Sequence, residues 1–299
     1  MILVTGGAGV LGSRLVRGLV EAGHGVRALT LPGDPNVSRL EGTGCDIVYA
    51  DVSDADSLKG VFDGVATVYH LAAIIIARDP EMFERINVHG VRNTVEGALS
   101  AGVTHFIHVS SAAAAHPDGS DYARSKLDGE RIVASQTGMH YTIVRPTLIY
   151  DKDGGQEFMM FLESLKKLPV VPFVGLGRAM KSPVLGDDIV KGLLAIAANP
   201  KAYGKIYNFS GGEAISMWNL ARLMLRHQGL SKPFIPVPVP VCRLVAFFME
   251  RLMIDPPLTR YAISRIIENV DLDHAAASED LGYDPIGVTE GLERCRPRP

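Results

Sequence analysis

The chain has 299 residues, 47% of them hydrophobic and 21% charged, with a formal net charge of −3. That length and apolar content call for a packed core, in one large α/β unit or a large domain plus a smaller lobe, and argue against disorder. No long basic run precedes the short tail Arg294–Pro299, read as a frayed end, so nucleic acid is not expected as a partner.

The three cysteines, Cys45, Cys242 and Cys295, form no Cys-x-x-Cys pair, and the nine histidines show no metal-ligand spacing. Neither a disulfide framework nor a metal site is expected, which suits a cytoplasmic protein. Met1–Gly7 has no basic leader, and no uncharged apolar run reaches the ~18 residues of a membrane span. Val237–Ile254 is apolar but holds Arg243, Glu250 and Arg251. It reads as a helix of the smaller lobe or a buried face, with a membrane-surface contact as the alternative.

In chain order, Ile2–Thr5 predicts a strand and Val10–Ala22 a helix with Leu11, Leu15, Leu19 and Val20 on one side. Strands follow at Gly25–Thr30, Ile47–Ala50, Ala66–His70, Thr104–Ser110 and Tyr141–Arg145. Helices are expected at Ala55–Phe62, Pro80–Ala101 and Asp121–Gln136. This alternation predicts a parallel, doubly wound sheet of Rossmann type with helices on both faces. Beyond Tyr150 the pattern loosens, with Pro and Gly clusters at Pro169–Gly177 and Pro233–Pro240. The dinucleotide-binding domain is expected over residues 1–150 plus about 183–210, read as strand, helix, strand returning to the sheet. A smaller, mostly C-terminal substrate-binding lobe takes about 151–182 plus 211–299, with substrate expected in the cleft between the two.

Thr5-Gly6-Gly7-Ala8-Gly9-Val10-Leu11-Gly12 lies between the first strand and first helix. Gly6 allows the tight turn, Gly9 a close approach of pyrophosphate to backbone, and Gly12 close packing of helix on strand. Free N–H groups and the dipole at the helix start, where Val10 and Leu11 sit, favour the phosphates. The second strand ends at Thr30, with no acid or arginine at the place that separates NAD from NADP; Asp34 and Arg39 are the nearest candidates. NAD is the expected cofactor, with NADP kept open.

Tyr122-Ala123-Arg124-Ser125-Lys126 places a phenol and an ammonium one turn apart on a helix. A free tyrosine has a pKa of about 10. A neighbouring cation lowers it, making the side chain able to exchange a proton with an alcohol or ketone as hydride moves. Ser111, at the end of the fifth strand, can hydrogen-bond the reacting oxygen.

These motifs, together with Ala50-Asp51-Val52, His70-Leu71-Ala72-Ala73, Asn87-Val88-His89-Gly90, Val109-Ser110-Ser111, Arg145-Pro146 and Asp280–Pro285, resemble the extended short-chain dehydrogenase/reductases, the NAD-dependent epimerase/dehydratase family. The resemblance covers nearly the whole chain. It implies that Ser111, Tyr122 and Lys126 are catalytic and that Lys126 also holds the nicotinamide ribose. It implies that Asp51 and Val52 meet the adenine, that Leu71, Ala72 and Ala73 line the dinucleotide, and that Asn87 orders the fifth-strand region. Val109 and Pro146 complete the expected cofactor set with Gly6, Gly9, Val10, Leu11, Gly12 and Thr30. On the substrate side it points to Ser111, Thr147, Arg178 and Lys181.

The chain departs from the family's nucleotide-sugar enzymes in two places. Tyr150-Asp151-Lys152 replaces an aromatic-Gly-Pro turn, and Lys181 or Arg178 stands in for the phosphate-binding arginine before Asp187-Asp188. Lysine offers a point charge where arginine offers a fork. Ala112-Ala113 replace the Asp-Glu pair of the family's 4,6-dehydratases, which argues against dehydration. The leading expectation is a UDP-hexose 4-epimerase-like enzyme acting on a nucleotide sugar. The alternatives are a keto-sugar, dihydroflavonol- or 3β-hydroxysteroid-like reductase, and a dinucleotide-binding sensor or assembly subunit without turnover. The resemblance also implies a homodimer through the helices near Pro80–Ala101 and Asp121–Gln136, with Gly97, Ala98, Ala101 and Gly129 permitting close contact there or, equally, packing on the sheet.

Overall fold

A computed structural model of the chain describes residues 1–115, 120–153, 155–253 and 256–295. The tail beyond Cys295 and the last residue of the 237–254 stretch lie outside the described residues.

The elements begin with β1 (Ile2–Thr5), α1 (Val10–Glu21), β2 (Val26–Thr30), β3 (Asp46–Tyr49) and β4 (Thr67–His70). There follow α2 (Glu81–Phe83), α3 (Gly90–Ser100), β5 (His105–Val109), α4 (Asp121–Ser135), β6 (His140–Pro146) and β7 (Ile149–Tyr150). Next come α5 (Gln156–Lys166), β8 (Val171–Val174), β9 (Met180–Lys181), β10 (Val184–Leu185), α6 (Gly186–Ile196) and β11 (Lys205–Phe209). The chain closes with β12 (Ile215–Ser216), α7 (Met217–His227), β13 (Phe234–Val237), α8 (Val239–Leu252), α9 (Arg260–Ile267), α10 (Ala275–Leu281) and α11 (Val288–Arg294).

The first of two compact units comprises Met1–Pro146, Gly186–Phe209 and Asp273–Asp284. Its seven-stranded sheet has the order β11-β6-β5-β4-β1-β2-β3, with every pairing parallel. This is the doubly wound Rossmann-type fold, and the order reverses beside β1, where such sheets open a ligand crevice. All four residues of β1 are buried, as expected for a strand covered on both faces. One face carries a core of Leu3, Val68, Phe106 and Ile143 under Val91, Val95 and Val133.

Three local expectations fail for physical reasons. Ala55–Phe62 forms only the 3-10 turn Asp56–Leu58. Ser57 Oγ bonds the carbonyls of Asp51 and Asp54 at 2.8 Å each, and Gly60 takes φ +76°, so a continuing helix is capped off. The long helix at 80–101 is broken by a π-helical turn at Glu84–His89. In the segment 183–210, β10 does not join the main sheet; it pairs with β7 in the second unit. Only α6 and β11 return.

Residues 273–284, read from sequence as part of the smaller lobe, pack in the first unit. Tyr283 stacks on Phe209 at 4.5 Å, Tyr207 Oη donates to Asp280 at 2.8 Å, and Asn208 Nδ2 donates to the Asp273 carbonyl at 2.9 Å.

Of the two uses read for the small residues, a dimer face or packing on the sheet, the fold shows the inward one for three. A Cβ on Gly97 would lie 2.3 Å from the Phe62 ring, one on Gly129 3.2 Å from the Asn87 carbonyl, and Ala98 is fully buried. Of the four, only Ala101 is exposed.

The second unit comprises Thr147–Leu185, Ser210–Leu272 and Pro285–Pro299. It holds three two-stranded sheets, β10-β7, β12-β9 and β13-β8. Phe158, Leu162, Phe173, Leu220, Met224 and Leu292 lie in its larger core. A smaller core of Val174, Cys242, Ala246 and Ile263 lies between α8, α9 and β8. Among the described residues, no helix is long and apolar enough to cross a membrane.

Candidate active site

The glycine turn joins β1 to α1 through close approaches that only glycine permits. Gly6 has φ +68°, and a Cβ there would lie 3.0 Å from the Ala72 amide nitrogen. A Cβ on Gly12 would lie 2.2 Å from the Gly6 carbonyl oxygen. Gly9, by contrast, is exposed, and its Cβ would meet only that same oxygen, at 3.2 Å. Its backbone is therefore open to a ligand. Gly9 is also the N-cap of α1 and supplies no side-chain cap. The first N–H groups of the helix, on Val10, Leu11 and Gly12, have no intrahelical acceptor and face outward with the positive end of the dipole. This cradle fits a dinucleotide pyrophosphate.

Around it, Thr5 Oγ1 receives the Ala72 amide at 3.2 Å and bonds His70 Nδ1 at 3.0 Å, fixing Leu71–Ala73 beside the turn. Asp51 Oδ1 accepts the Ser53 amide at 2.8 Å, while Val52 is buried against Gly90 as part of the core.

The end of β2 carries an anchored carboxylate. Thr30 is buried, and its hydroxyl donates to Asp34 Oδ2 at 2.9 Å. Asp34 Oδ1 accepts the backbone and side-chain amides of Asn36 at 2.9 and 3.0 Å. Burial pushes this carboxyl up, but the bonds from Asn36 and Thr30 and the nearby Arg39 outweigh it and hold the pKa below the usual value. Arg39 Nη1 reaches the Ala8 carbonyl, inside the glycine turn, at 3.4 Å.

Helix α4 carries the reactive pair. Ser120 caps it by accepting the Ala123 amide at 3.1 Å, which puts Tyr122 in the first turn. The half-buried Tyr122 ring meets Phe83 edge-on at 6.1 Å. Lys126, one turn on, is buried, and its Nζ donates to the Val109 carbonyl at 2.9 Å. Burial lowers the Lys126 pKa to about 8, against the opposing pull of Glu130. Glu130 is itself buried and gripped by Arg145 through a fork of 2.9 and 2.6 Å. Ser111 Oγ accepts the Ala113 amide at 3.2 Å, which leaves its O–H available to donate.

Asn87 does something other than the resemblance implies. Its amide bonds the Ile74 backbone on the loop after β4, at 2.8 and 2.9 Å, and Ser125 Oγ on α4 at 3.0 Å, rather than the fifth strand. Ser125 Oγ in turn donates to the Tyr122 carbonyl at 2.8 Å. The π turn at 84–89 carries this asparagine, consistent with the clustering of such turns at functional sites.

Beneath Lys126, His70 and His108 stack at 5.6 Å on neighbouring strands. Among the described residues, His70 Nε2 and both His108 ring nitrogens are buried without a hydrogen-bond partner. Burial, and then the Lys126 charge, lowers His70 to about 3; burial, Lys126 and His70 push His108 well below its usual range. Both imidazoles are neutral at physiological pH, so Lys126 holds its proton without a competing cation below it.

Sequence reasoning missed Ser125, Glu130 and the anchoring of Asp34. The row 122, 126, 130 at steps of four was a usable signal for Glu130; nothing in sequence pairs it with Arg145.

In the second unit, Thr147 Oγ1 donates to the Ser182 carbonyl and Arg178 is exposed. Lys181 is buried at 6% exposure, and its ammonium donates to the carbonyls of Arg265 and Glu268 at 2.9 and 2.7 Å. Burial, then Arg265, lowers its pKa to about 8.

A Rossmann-type sheet, an uncapped glycine cradle and a Tyr/Lys/Ser set define a dinucleotide-dependent oxidoreductase. The chain belongs to the NAD dependent epimerase/dehydratase family, which matches residues 2–210. It is an enzyme of the extended short-chain dehydrogenase/reductase type, and its dinucleotide is NAD. The chain is 29% identical to a 3 beta-hydroxysteroid dehydrogenase/Delta 5-->4-isomerase of Mycobacterium tuberculosis, across 99% of this chain and 89% of that protein. It is 25% identical to a 4-hydroxy-2-methyl-3-oxo-4-farnesyl-3,4-dihydroquinoline-1-oxide ketoreductase of Stigmatella aurantiaca, across 98% and 95%. A Bacillus cereus UDP-glucuronic acid 4-epimerase, solved with UDP-glucuronic acid and NAD, shares the fold at TM-score 0.74 and 21% identity, covering 98% of this chain and 96% of that one.

Proposed function

We propose that the protein is an NAD-dependent dehydrogenase or reductase of a secondary alcohol or ketone on an apolar skeleton, of the steroid or prenylated-ring kind. Its catalytic residues are Tyr122, Lys126 and Ser111, and the second unit binds the substrate. NAD, when bound, supplies or accepts the hydride. Gly6, Gly9 and Gly12, with the start of α1, would hold its pyrophosphate. Tyr122 exchanges the proton with the substrate oxygen, and Ser111 donates a hydrogen bond to that oxygen. Lys126, clamped by Val109, supplies the cation that stabilises the phenolate.

The observation that carries the choice of substrate is Lys181. Its ammonium is spent on two backbone carbonyls, so it offers little to a sugar-nucleotide pyrophosphate. The steroid dehydrogenase and the farnesyl-quinoline ketoreductase, similar along almost their whole length, support the same reading. Exposed Arg178 is what favours the second reading, a UDP-hexose 4-epimerase.

The test is to supply the purified protein with NAD and either a 3β-hydroxysteroid or UDP-glucose. NADH formation with the steroid, and no UDP-galactose from UDP-glucose, is the expected result. Interconversion of the UDP-hexoses without net NADH would overturn the proposal in favour of the epimerase.

A further inference from the structure

Helix α8 carries an apolar stripe turned away from its own core. Its inner face places Cys242 and Ala246, at 5% and 0% exposure, against Val174 and Ile263. Opposite lie Val241, Leu244, Val245, Phe248 and Leu252, at 47, 59, 40, 52 and 82% exposure. Steps of three and four align these five along one side of the helix over about 16 Å. Leu176, at 58%, extends the patch from the adjoining Gly175–Gly177 turn, whose Gly175 amide bonds the Val237 carbonyl just before α8. A contiguous apolar surface of this kind marks a contact site.

The charge at its edge selects the partner. Arg243 and Arg251 are exposed, and Arg251 lies 4.8 Å above the Phe247 ring. The carboxylate on the helix, Glu250, is taken by the Arg260 amide and Nε at 2.7 Å each. Arg260 lies 5.6 Å from the same ring, so along Val239–Leu252 Arg251 edges the stripe with no uncommitted carboxylate beside it. We infer that α8 docks the protein on an anionic lipid surface, with Leu244, Phe248 and Leu252 entering the acyl boundary and Arg251 meeting the headgroups. The contact is peripheral, since the opposite face of the helix belongs to the protein core. It would give access to substrates dissolved in the bilayer, a purpose that rests on the function proposed above; the docking itself does not.

Flotation of the purified full chain with phosphatidylcholine vesicles, with and without phosphatidylglycerol, tests it. Co-flotation is expected, stronger with phosphatidylglycerol and weakened by salt. Leu244→Ser with Phe248→Ser should cut partitioning by roughly tenfold per side chain, and Arg251→Glu should remove the phosphatidylglycerol preference. NAD binding by each variant reports that the fold is intact. No flotation of the wild-type chain would overturn the inference. So would a concentration-dependent dimer in light scattering that the double variant dissociates, which would assign the stripe to a second copy. A rise in KM in the double variant without any vesicle binding would also overturn it, assigning the stripe to substrate.

Discussion

The side-chain amide of Asn87 donates to Ser125 Oγ at 3.0 Å, and that hydroxyl donates to the carbonyl of Tyr122 at 2.8 Å. Asn87 also closes both amide bonds to the Ile74 backbone, so one side chain ties the loop after β4 to the turn that presents the reactive phenol. Asn87→Ala would leave the half-buried Ile74 backbone and the buried Ser125 hydroxyl short of their partners, costing about 1–3 kcal/mol of stability. Because the Tyr122 turn loses its brace, kcat should fall more than KM rises. Urea denaturation and steady-state kinetics read the two effects separately; a loss of stability with unchanged kcat would reduce Asn87 to a structural role.

Asp34 lies four residues beyond the strand end and is drawn back to it by Thr30, and we propose it as the acid that reads the ribose. Asp34→Asn should weaken NAD binding by about tenfold, the loss of one charge-assisted hydrogen bond. NADP binding should improve, because Arg39 then faces the 2′-phosphate without a neighbouring anion. Titration calorimetry with both dinucleotides measures the ratio. An unchanged ratio would place the recognition of the ribose elsewhere.

Much of this could be seen in the sequence. The glycine spacing, the Tyr122/Lys126 step and the strand–helix alternation each report a local backbone requirement, and the local rule is enough to find them. What escaped depends on distant partners. Asp34 looked too far from the strand end, because only the folded loop returns it to Thr30. Lys181 looked like a phosphate ligand because a lone lysine in sequence does not reveal the carbonyls of Arg265 and Glu268. Gly97 and Gly129 suited an interface or inward packing equally, and only the fold shows that they make room for Phe62 and for the Asn87 carbonyl.

The buried histidines set the acid limit of stability. His70 titrates at about 3 and His105 at about 4 in the folded chain, both lowered first by burial from 6.5. His108 is depressed in the same direction. Below pH 6.5 the unfolded chain binds protons that the folded chain refuses, so stability is complete above 6.5 and falls as pH drops toward 4 and 3. Each histidine should contribute a loss of about 1 kcal/mol between pH 6.5 and 5.5. Lys126 and Lys181 act at the other end. Between about 8 and 10.5 the unfolded chain keeps a proton that each folded lysine has released, so stability rises with pH there. Urea midpoints across this range measure both slopes, and His105→Gln should remove its share of the acid slope. A flat profile from pH 7 to 5 would mean that these imidazoles are solvated.

Tyr122 is the proposed proton-exchanging group, beside a lysine clamped to Val109. The most direct measurement compares the wild-type protein with Tyr122→Phe in NAD affinity by calorimetry and in alcohol oxidation by single-turnover NADH formation. The variant should bind NAD within about twofold of wild type and lose about 10²–10⁴ in the rate of oxidation, because the cradle at Gly6–Gly12 is untouched. Oxidation at the wild-type rate would rule out Tyr122 and move the proton chemistry to another residue.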